Sequence, residues 1–298
     1  MSLYSQQDKN VTRTWFLMTM FLVVVIAIGW AISYLYGRPE ILYIAVGFSL
    51  LMNFVSYWYS DKIVLTMHHA RPASEALEHD LINIVENLSI TAGLPMPKVY
   101  VVNDPAPNAF ATGRDKEHAV VAVTSGLLTT LNKTELEGVI AHELSHIGNR
   151  DILLSTVVVV LVGFVTILSD MFLRGSFFRD RDSDNKLGGV LFIVGIVLII
   201  LSPIVAQLIH FAISRKREFL ADASGALLTR YPEGLADALK KISAYNGPMM
   251  TANNSTAHLF ISNPFGGKVG AISKLFMTHP PMEERVKALM GEKEWTPL

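Results

Sequence analysis

Hydrophobic and polar positions along this chain fall into long blocks. No charged residue lies between Thr14 and Gly37 or between Ile41 and Ser60. Ile152 to Ser169 is a third such run, and Leu187 to Ile213 a fourth, broken only by Gln207 and His210. Each is near or above the ~20 apolar residues that, at about 1.5 Å per residue, cross a hydrocarbon layer of about 30 Å. A single run could be a buried core helix. Four of them in one short chain predict four transmembrane helices. The first run is longer than the apolar core of a cleaved leader and a second follows at once, so it is expected to remain as an anchor.

The polar blocks have their own periodicity. Ser74 can cap a helix whose apolar positions Leu77, Leu81, Val85 and Leu88 recur at helical spacing and which ends near Gly93. Pro95 and Pro97 then stop helix formation. Lys98–Val102 and Ala119–Thr124 are β-branched and aromatic, as strands should be. Between them lie Asn108-Ala-Phe-Ala-Thr-Gly113 and a turn-like Gly113-Arg-Asp115. Thr134 with Glu137 three residues later reads as a capping box that opens the next helix. The fold class that follows is α+β, a small sheet with helices packed on it, attached to the membrane helices.

Composition sharpens this picture. The 298 residues carry a net charge of −1, 17% charged and 51% hydrophobic residues, and no cysteine. An ordinary soluble domain has roughly 25% charged residues, so the missing charge points to lipid. Disorder, a disulfide scaffold and a cysteine-ligated zinc site are excluded, and the balance of charge gives no case for nucleic acid. Lys and Arg near the span ends favour the N-terminus inside. Lys9, Arg13, Lys62, Arg71, Arg150, Arg215, Lys216 and Arg217 would then be cytoplasmic, with Arg38, Arg174, Arg179, Arg181 and Lys186 outside. Both termini and the stretch from Asp61 to Asp151 would face the cytoplasm.

The helix after Thr134 carries His142-Glu-Leu-Ser-His146, an HExxH pattern. Residues four apart share one helix face, so both imidazoles can address one ion. Zinc lowers the pKa of bound water toward 7, and Glu143 beside it can take a proton and pass it to a leaving amine. Catalytic zinc takes three protein ligands. Glu218 and Asp222, four apart on the helix after the fourth run, supply a candidate third ligand and a carboxylate to orient a ligand histidine. His68, His69, His79, His118 and His258 lie in polar or loop-like segments and read as surface residues. His210, two turns before Glu218, reads as a helix-end polar residue at the membrane interface.

An HExxH helix opening into a membrane hairpin, followed by an ExxxD helix, resembles the membrane-embedded gluzincin metalloproteases of the HtpX type, relatives of the CAAX prenyl endopeptidases. Asn108–Gly113, Ser214–Asp222, Thr278-His-Pro-Pro281 and Glu284-Arg285 carry the resemblance over nearly the whole chain. It implies one zinc ion per chain on His142, His146 and Glu218, with Glu143 as general base and Asp222 behind the ligands. It implies that His279 and Arg285 steady the oxyanion or the site around it, and that Asn108 contacts substrate backbone on an edge strand. By spacing alone His279 is a loop residue, Arg285 a solvated one, and Asn108 equally a turn residue.

The resemblance further implies a quality-control endopeptidase of the cell membrane, acting on misfolded membrane proteins and unfolded polypeptides. The expected domains are a transmembrane hairpin at 1–60, a first protease part at 61–151, a second hairpin at 152–213 and a second protease part at 214–298. Arg174 to Lys186 would be an external loop, and Asn263–Gly267 a cover. A site-2 type protease would bury its HExxH in an uncharged span, whereas Lys133, Glu135, Glu137, Arg150 and Asp151 flank this one. A metal transporter or scaffold would want ligands at midmembrane and has no need of Glu143.

Overall fold

The structure is a computed structural model that describes residues 3–163, 215–266 and 280–291. Helices α1 (Leu3–Tyr36) and α2 (Glu40–Trp58) form an antiparallel hairpin, turned at Gly37 with a left-handed φ of 62°. Among the described residues these two are long and apolar enough on their own to cross a membrane. Trp15, Phe16, Trp30, Tyr34, Tyr43 and Ile44 are largely exposed on their surfaces, which in water would be a liability and in lipid is the solvated state.

A short helix α3 (Ser60–Met67) leads into β1 (Arg71–Pro72) and α4 (Glu75–Ala92). Ser74 caps α4 by accepting from the Ala76 amide, and Gly93 closes it at φ 65°, as the sequence predicts. Leu81 and Val85 are buried, but Leu77 is 77% exposed. It sits in the first turn, beside a break in helical geometry at Glu78, whose carboxylate binds Arg71 and the Ser74 amide.

Strands β2 (Lys98–Val102), β3 (Ala109–Thr112) and β4 (Val120–Thr124) complete a four-stranded sheet in the order β1-β2-β4-β3. The central β2–β4 pair is parallel and both flanking pairs antiparallel, so β3 lies at an edge. Alternate residues serve two cores. Val101, Ala109, Ala111, Val121 and Val123 face the main core, while Val102, Phe110, Val120 and Ala122 face a second one with Val64, Met249 and Phe260. Burial on both faces explains why β4 reads as an unbroken apolar run.

After α5 (Ser125–Thr130) comes α6 (Lys133–Gly148), which carries the HExxH pattern. Its capping box is made by Asn132 and Glu135, not by Thr134 and Glu137. Two residues with the same three-residue spacing compete here. Asn132 wins because Leu131, extended at ψ 141°, delivers the chain into the helix one half-turn earlier, and Lys241 pins Glu135 at 2.8 Å.

Helix α6 ends at Asn149 and Arg150, where the chain bends by 84° into α7 (Asp151–Gly163), with Arg150 at φ 57°. The third apolar run therefore begins in α7, which packs Leu153, Val157 and Leu161 on Met18 and Phe21 of α1. The end of that run, the fourth run, His210 and the loop from Arg174 to Lys186 lie outside the described residues.

The chain re-enters with α8 (Arg215–Thr229), α9 (Pro232–Ala244) and, beyond a further gap, α10 (Met282–Leu289). Leu235, Leu239 and Ile242 of α9 share the main core with α4, α6 and the sheet. Two histidines expected at the surface are buried. His68 lies edge-on to Phe260 with Nδ1 2.9 Å from the Thr251 hydroxyl, and His258 Nε2 is 3.1 Å from the Ser155 carbonyl. The segment before Asn263 folds over the second core, covering His68 with Thr251 and Phe260 and carrying His258 against Ser155 of α7. His69, His79 and His118 are exposed, as predicted.

Candidate metal centre

The centre is built where α6 crosses α8. A Cβ on Gly225 of α8 would lie 3.0 Å from the His142 amide nitrogen, so the two helices approach as closely as a missing side chain allows. That contact brings Glu218, two turns earlier on α8, over the HExxH face. His142 Nε2 is 3.1 Å from His146 Nε2 and 3.9 Å from Glu218 Oε2, and His146 Nε2 is 3.6 Å from Glu218 Oε1. Neighbouring ligands on a tetrahedral zinc with bonds of about 2.0–2.1 Å stand ~3.3 Å apart. His142, His146 and Glu218 match that spacing and form a group able to hold a metal ion.

The outer ring nitrogens decide how the inner ones face. His142 Nδ1 lies 2.9 Å from Asp222 Oδ1, and His146 Nδ1 lies 3.1 Å from Asp151 Oδ2. A carboxylate accepts, so each Nδ1 carries the proton and each Nε2 presents a lone pair to the other and to Glu218. Three donor atoms converging in a buried site favour positive charge between them, whether a shared proton or a metal ion. The electrostatics express the same demand. Burial works to lower His146, but the Asp151 hydrogen bond and the Glu218 charge outweigh it and lift the ring to about 9. Burial takes His142 down to about 4, against the pull of Asp222. The residues fit a divalent metal.

Glu143 is 2% exposed, and the Ala111 amide of the edge strand β3 favours its charged form. Burial raises its carboxyl to about 7, with Glu218 adding to the rise while His146 and Arg285 oppose it. A carboxylate held near neutrality beside a metal position is suited to taking and returning a proton.

Arg285, fully buried, grips Asp222 with two nitrogens, Nε to Oδ2 at 2.8 Å and Nη2 to Oδ1 at 2.6 Å. Its Nη1 donates to the Ile261 carbonyl at 3.2 Å and stands 3.9 Å from Glu218. Although buried, Asp222 is held down to about 2, chiefly by this guanidinium. The helix α10 thus reaches the centre through one side chain.

Asn108 directly precedes β3 and is not among the three residues grouped to hold a metal. Its Oδ1 accepts from the Ser262 amide and its Nδ2 donates to the Ser262 carbonyl, at 3.2 and 3.0 Å. Next to it, the Ala109 carbonyl accepts from the Ile261 amide at 3.0 Å. The chain's own residues 261–262 therefore occupy this part of the sheet edge. His279 lies outside the described residues. Asp151, by sequence no more than a charge flanking the motif, is the partner of His146. The signal was a carboxylate five residues after the second histidine, and reading it needed the corner at Arg150.

Residues 75–293 match the sequence model of peptidase family M48. A "Protease HtpX homolog" of Caldanaerobacter subterraneus subsp. tengcongensis is 48% identical over 295 residues, 97% of each chain. Another, of Thermococcus kodakarensis, is 48% identical over 283 residues, 93% of this chain and 94% of that one. The crystal structure of S. mikatae Ste24p superposes with a TM-score of 0.50 at 18% identity, covering 96% of this chain and 66% of that one. This chain spans about two thirds of Ste24p, and the likeness is one of fold.

Proposed function

The chain belongs to peptidase family M48 and is a metallopeptidase, and from that membership and the geometry of the donor cluster we propose a membrane-embedded zinc endopeptidase. Its substrates are misfolded membrane proteins and unfolded polypeptides, as the resemblance of its motifs to the HtpX-type proteases implies. The observation that carries the reading is the pair of carboxylates, Asp222 and Asp151, that turn both Nε2 atoms of the HExxH histidines toward Glu218.

In this reading His142, His146 and Glu218 hold one zinc ion, which supplies Lewis acidity to activate water and polarise the scissile carbonyl. Glu143 takes the proton from the attacking water as its oxygen adds to the carbonyl carbon. It then returns that proton to the amide nitrogen as the C–N bond breaks, so the base is regenerated. Asp222 and Arg285 keep His142 in place, and Arg285 puts positive charge beside the position where the oxyanion develops. His279 is assigned a donor role at the same position.

Substrate lies along β3 as an added strand. Main-chain hydrogen bonds give affinity without reading side chains, which suits a protease of broad tolerance. Asn108 contacts substrate backbone by exchanging its bonds to Ser262 for bonds to the incoming chain.

Four spans place the protein in the cell membrane as a multi-pass protein, with termini and active site on the cytoplasmic side. The two helix hairpins at 1–60 and 152–213 alternate with protease parts at 61–151 and 214–298. Support comes from the apolar surfaces of α1 and α2 and from the Lys and Arg bias of the loops. The test is cleavage of an unfolded protein by detergent-purified, zinc-loaded enzyme against Glu143→Gln prepared identically. Cutting by the wild type alone, with zinc in both, is the expected result. Equal cutting by both would overturn it.

A further inference from the structure

The His146 partner, Asp151, is itself held from an unexpected direction. Asn10 sits in α1, 1% exposed, four residues before the first apolar run. Its Nδ2 donates to Asp151 Oδ1 at 2.6 Å and to the Asn149 carbonyl at 3.1 Å. Arg217 of α8 completes the group, with Nη1 3.4 Å from both Asn10 Oδ1 and Asp151 Oδ1. Asp151 is 4% exposed, so no bulk water competes for its oxygens.

A carboxylate bonded only to His146 through Oδ2 would be able to swing about its own axis. With Oδ1 fixed by a short bond from Asn10, its plane is set, and the imidazole that donates to it is set in turn. The amide also bridges the backbone of the corner at Asn149 from which Asp151 projects. We propose that Asn10 is a positioning residue of the metal site, through which the first membrane helix sets the orientation of His146 by way of Asp151. The proposal rests on the reading of His142, His146 and Glu218 as zinc ligands.

The test uses the full chain in detergent, with zinc affinity measured by competition against a chelating indicator. The absorption spectrum of the cobalt-substituted protein reports ligand geometry alongside. Losing a partner of a ligand histidine costs about 10–100-fold in metal affinity, which is the expectation for Asp151→Asn. Asn10→Leu, one bond further out, is expected to lose about 3–10-fold and to shift the cobalt spectrum. Asn10→Leu combined with Asp151→Asn is expected to be no weaker than Asp151→Asn alone, because Asn10 acts through Asp151. Asn53→Leu removes a different, partly buried amide bond of the same hairpin, to the Met18 carbonyl, and is expected to leave zinc affinity unchanged. If Asn10→Leu does not accumulate as folded protein, Asn10→Ala is read in the same way.

Wild-type affinity in the Asn10 variant overturns the proposal, as does a double variant in which the two losses add. An equal loss in Asn53→Leu overturns it too, since the effect would then be a general loosening of the hairpin. A wild type that retains no zinc, or zinc that persists undiminished in His146→Ala, overturns the ligand reading and the proposal with it. Zinc lost in His146→Ala but unchanged in Asn10→Leu overturns the proposal alone.

Discussion

Burial lifts the Glu143 carboxyl to about 7, and in its proposed role as general base it works only when ionised. As pH falls through the pKa the protonated fraction rises, so kcat/KM is expected to drop on the acid side, approaching tenfold per pH unit. A bound cation pulls the carboxyl down, which puts the limb at pH 7 or below; a pH profile on a peptide substrate reads it directly. Replacing the base by Glu143→Gln is expected to cost about 10²–10⁴-fold in cleavage while zinc content stays at one per chain. Asp222 has a second consequence, for stability. Its carboxyl is held to about 2 against an ordinary 3.8, so the stability it contributes is complete above about pH 4 and is lost as the pH falls toward 2. Asp222→Ala leaves the buried Arg285 guanidinium without its two-point partner and is expected to cost about 3–5 kcal/mol in an unfolding titration. Adding Arg285→Met to that variant removes the orphaned charge and is expected to restore part of the loss.

The helices meet at glycines, and there the tolerance of the fold is smallest. Gly225 lets α8 lie against the His142 backbone, and a Cβ on Gly138 of α6 would come within 2.6 Å of the Leu235 amide of α9. Gly225→Val is expected to push α8 outward, carrying Glu218 away from the histidines. Zinc affinity should fall in the same competition measurement, with a stability cost of about 1–3 kcal/mol from overpacking. At this scale the amino-acid sequence is partly legible. The HExxH helix, the Ser74-capped helix and the strands at 98–102 and 120–124 could be read from period and propensity because those signals are local. The capping box falls two residues before the predicted position because Asn132-x-x-Glu135 and Thr134-x-x-Glu137 overlap, and only the incoming chain direction separates them. The burial of His68 and His258 was illegible because the residues that cover them, Phe110, Phe260 and Ser155 among them, come from distant parts of the chain. Glu218 could be proposed from its spacing to Asp222, whereas Asp151 needed a bend of 84° that no propensity encodes.

Across the whole molecule, the metal centre is the place where separate stretches of chain are tied together. His142 and His146 come from α6, Glu218 from α8 and Arg285 from α10, and residues of all three stretches share the main core. Metal that binds this arrangement and not the unfolded chain stabilises by mass action, about 2.7 kcal/mol at a hundred times Kd. The thermal unfolding midpoint is accordingly expected to rise with added zinc and fall with a chelator, and His146→Ala is expected to abolish both shifts. The edge of β3 carries a consequence of another kind. Residues 261–262 already bond Ala109 and Asn108 there, so a substrate arriving at this edge trades places with a resident strand. Such a trade is nearly neutral in hydrogen bonds for a chain whose backbone is unpaired, and costly for one that must first break its own pairs. If substrate binds along β3 as proposed, discrimination between unfolded and folded proteins would arise as a competition between strands for one edge, settled before any bond is cut.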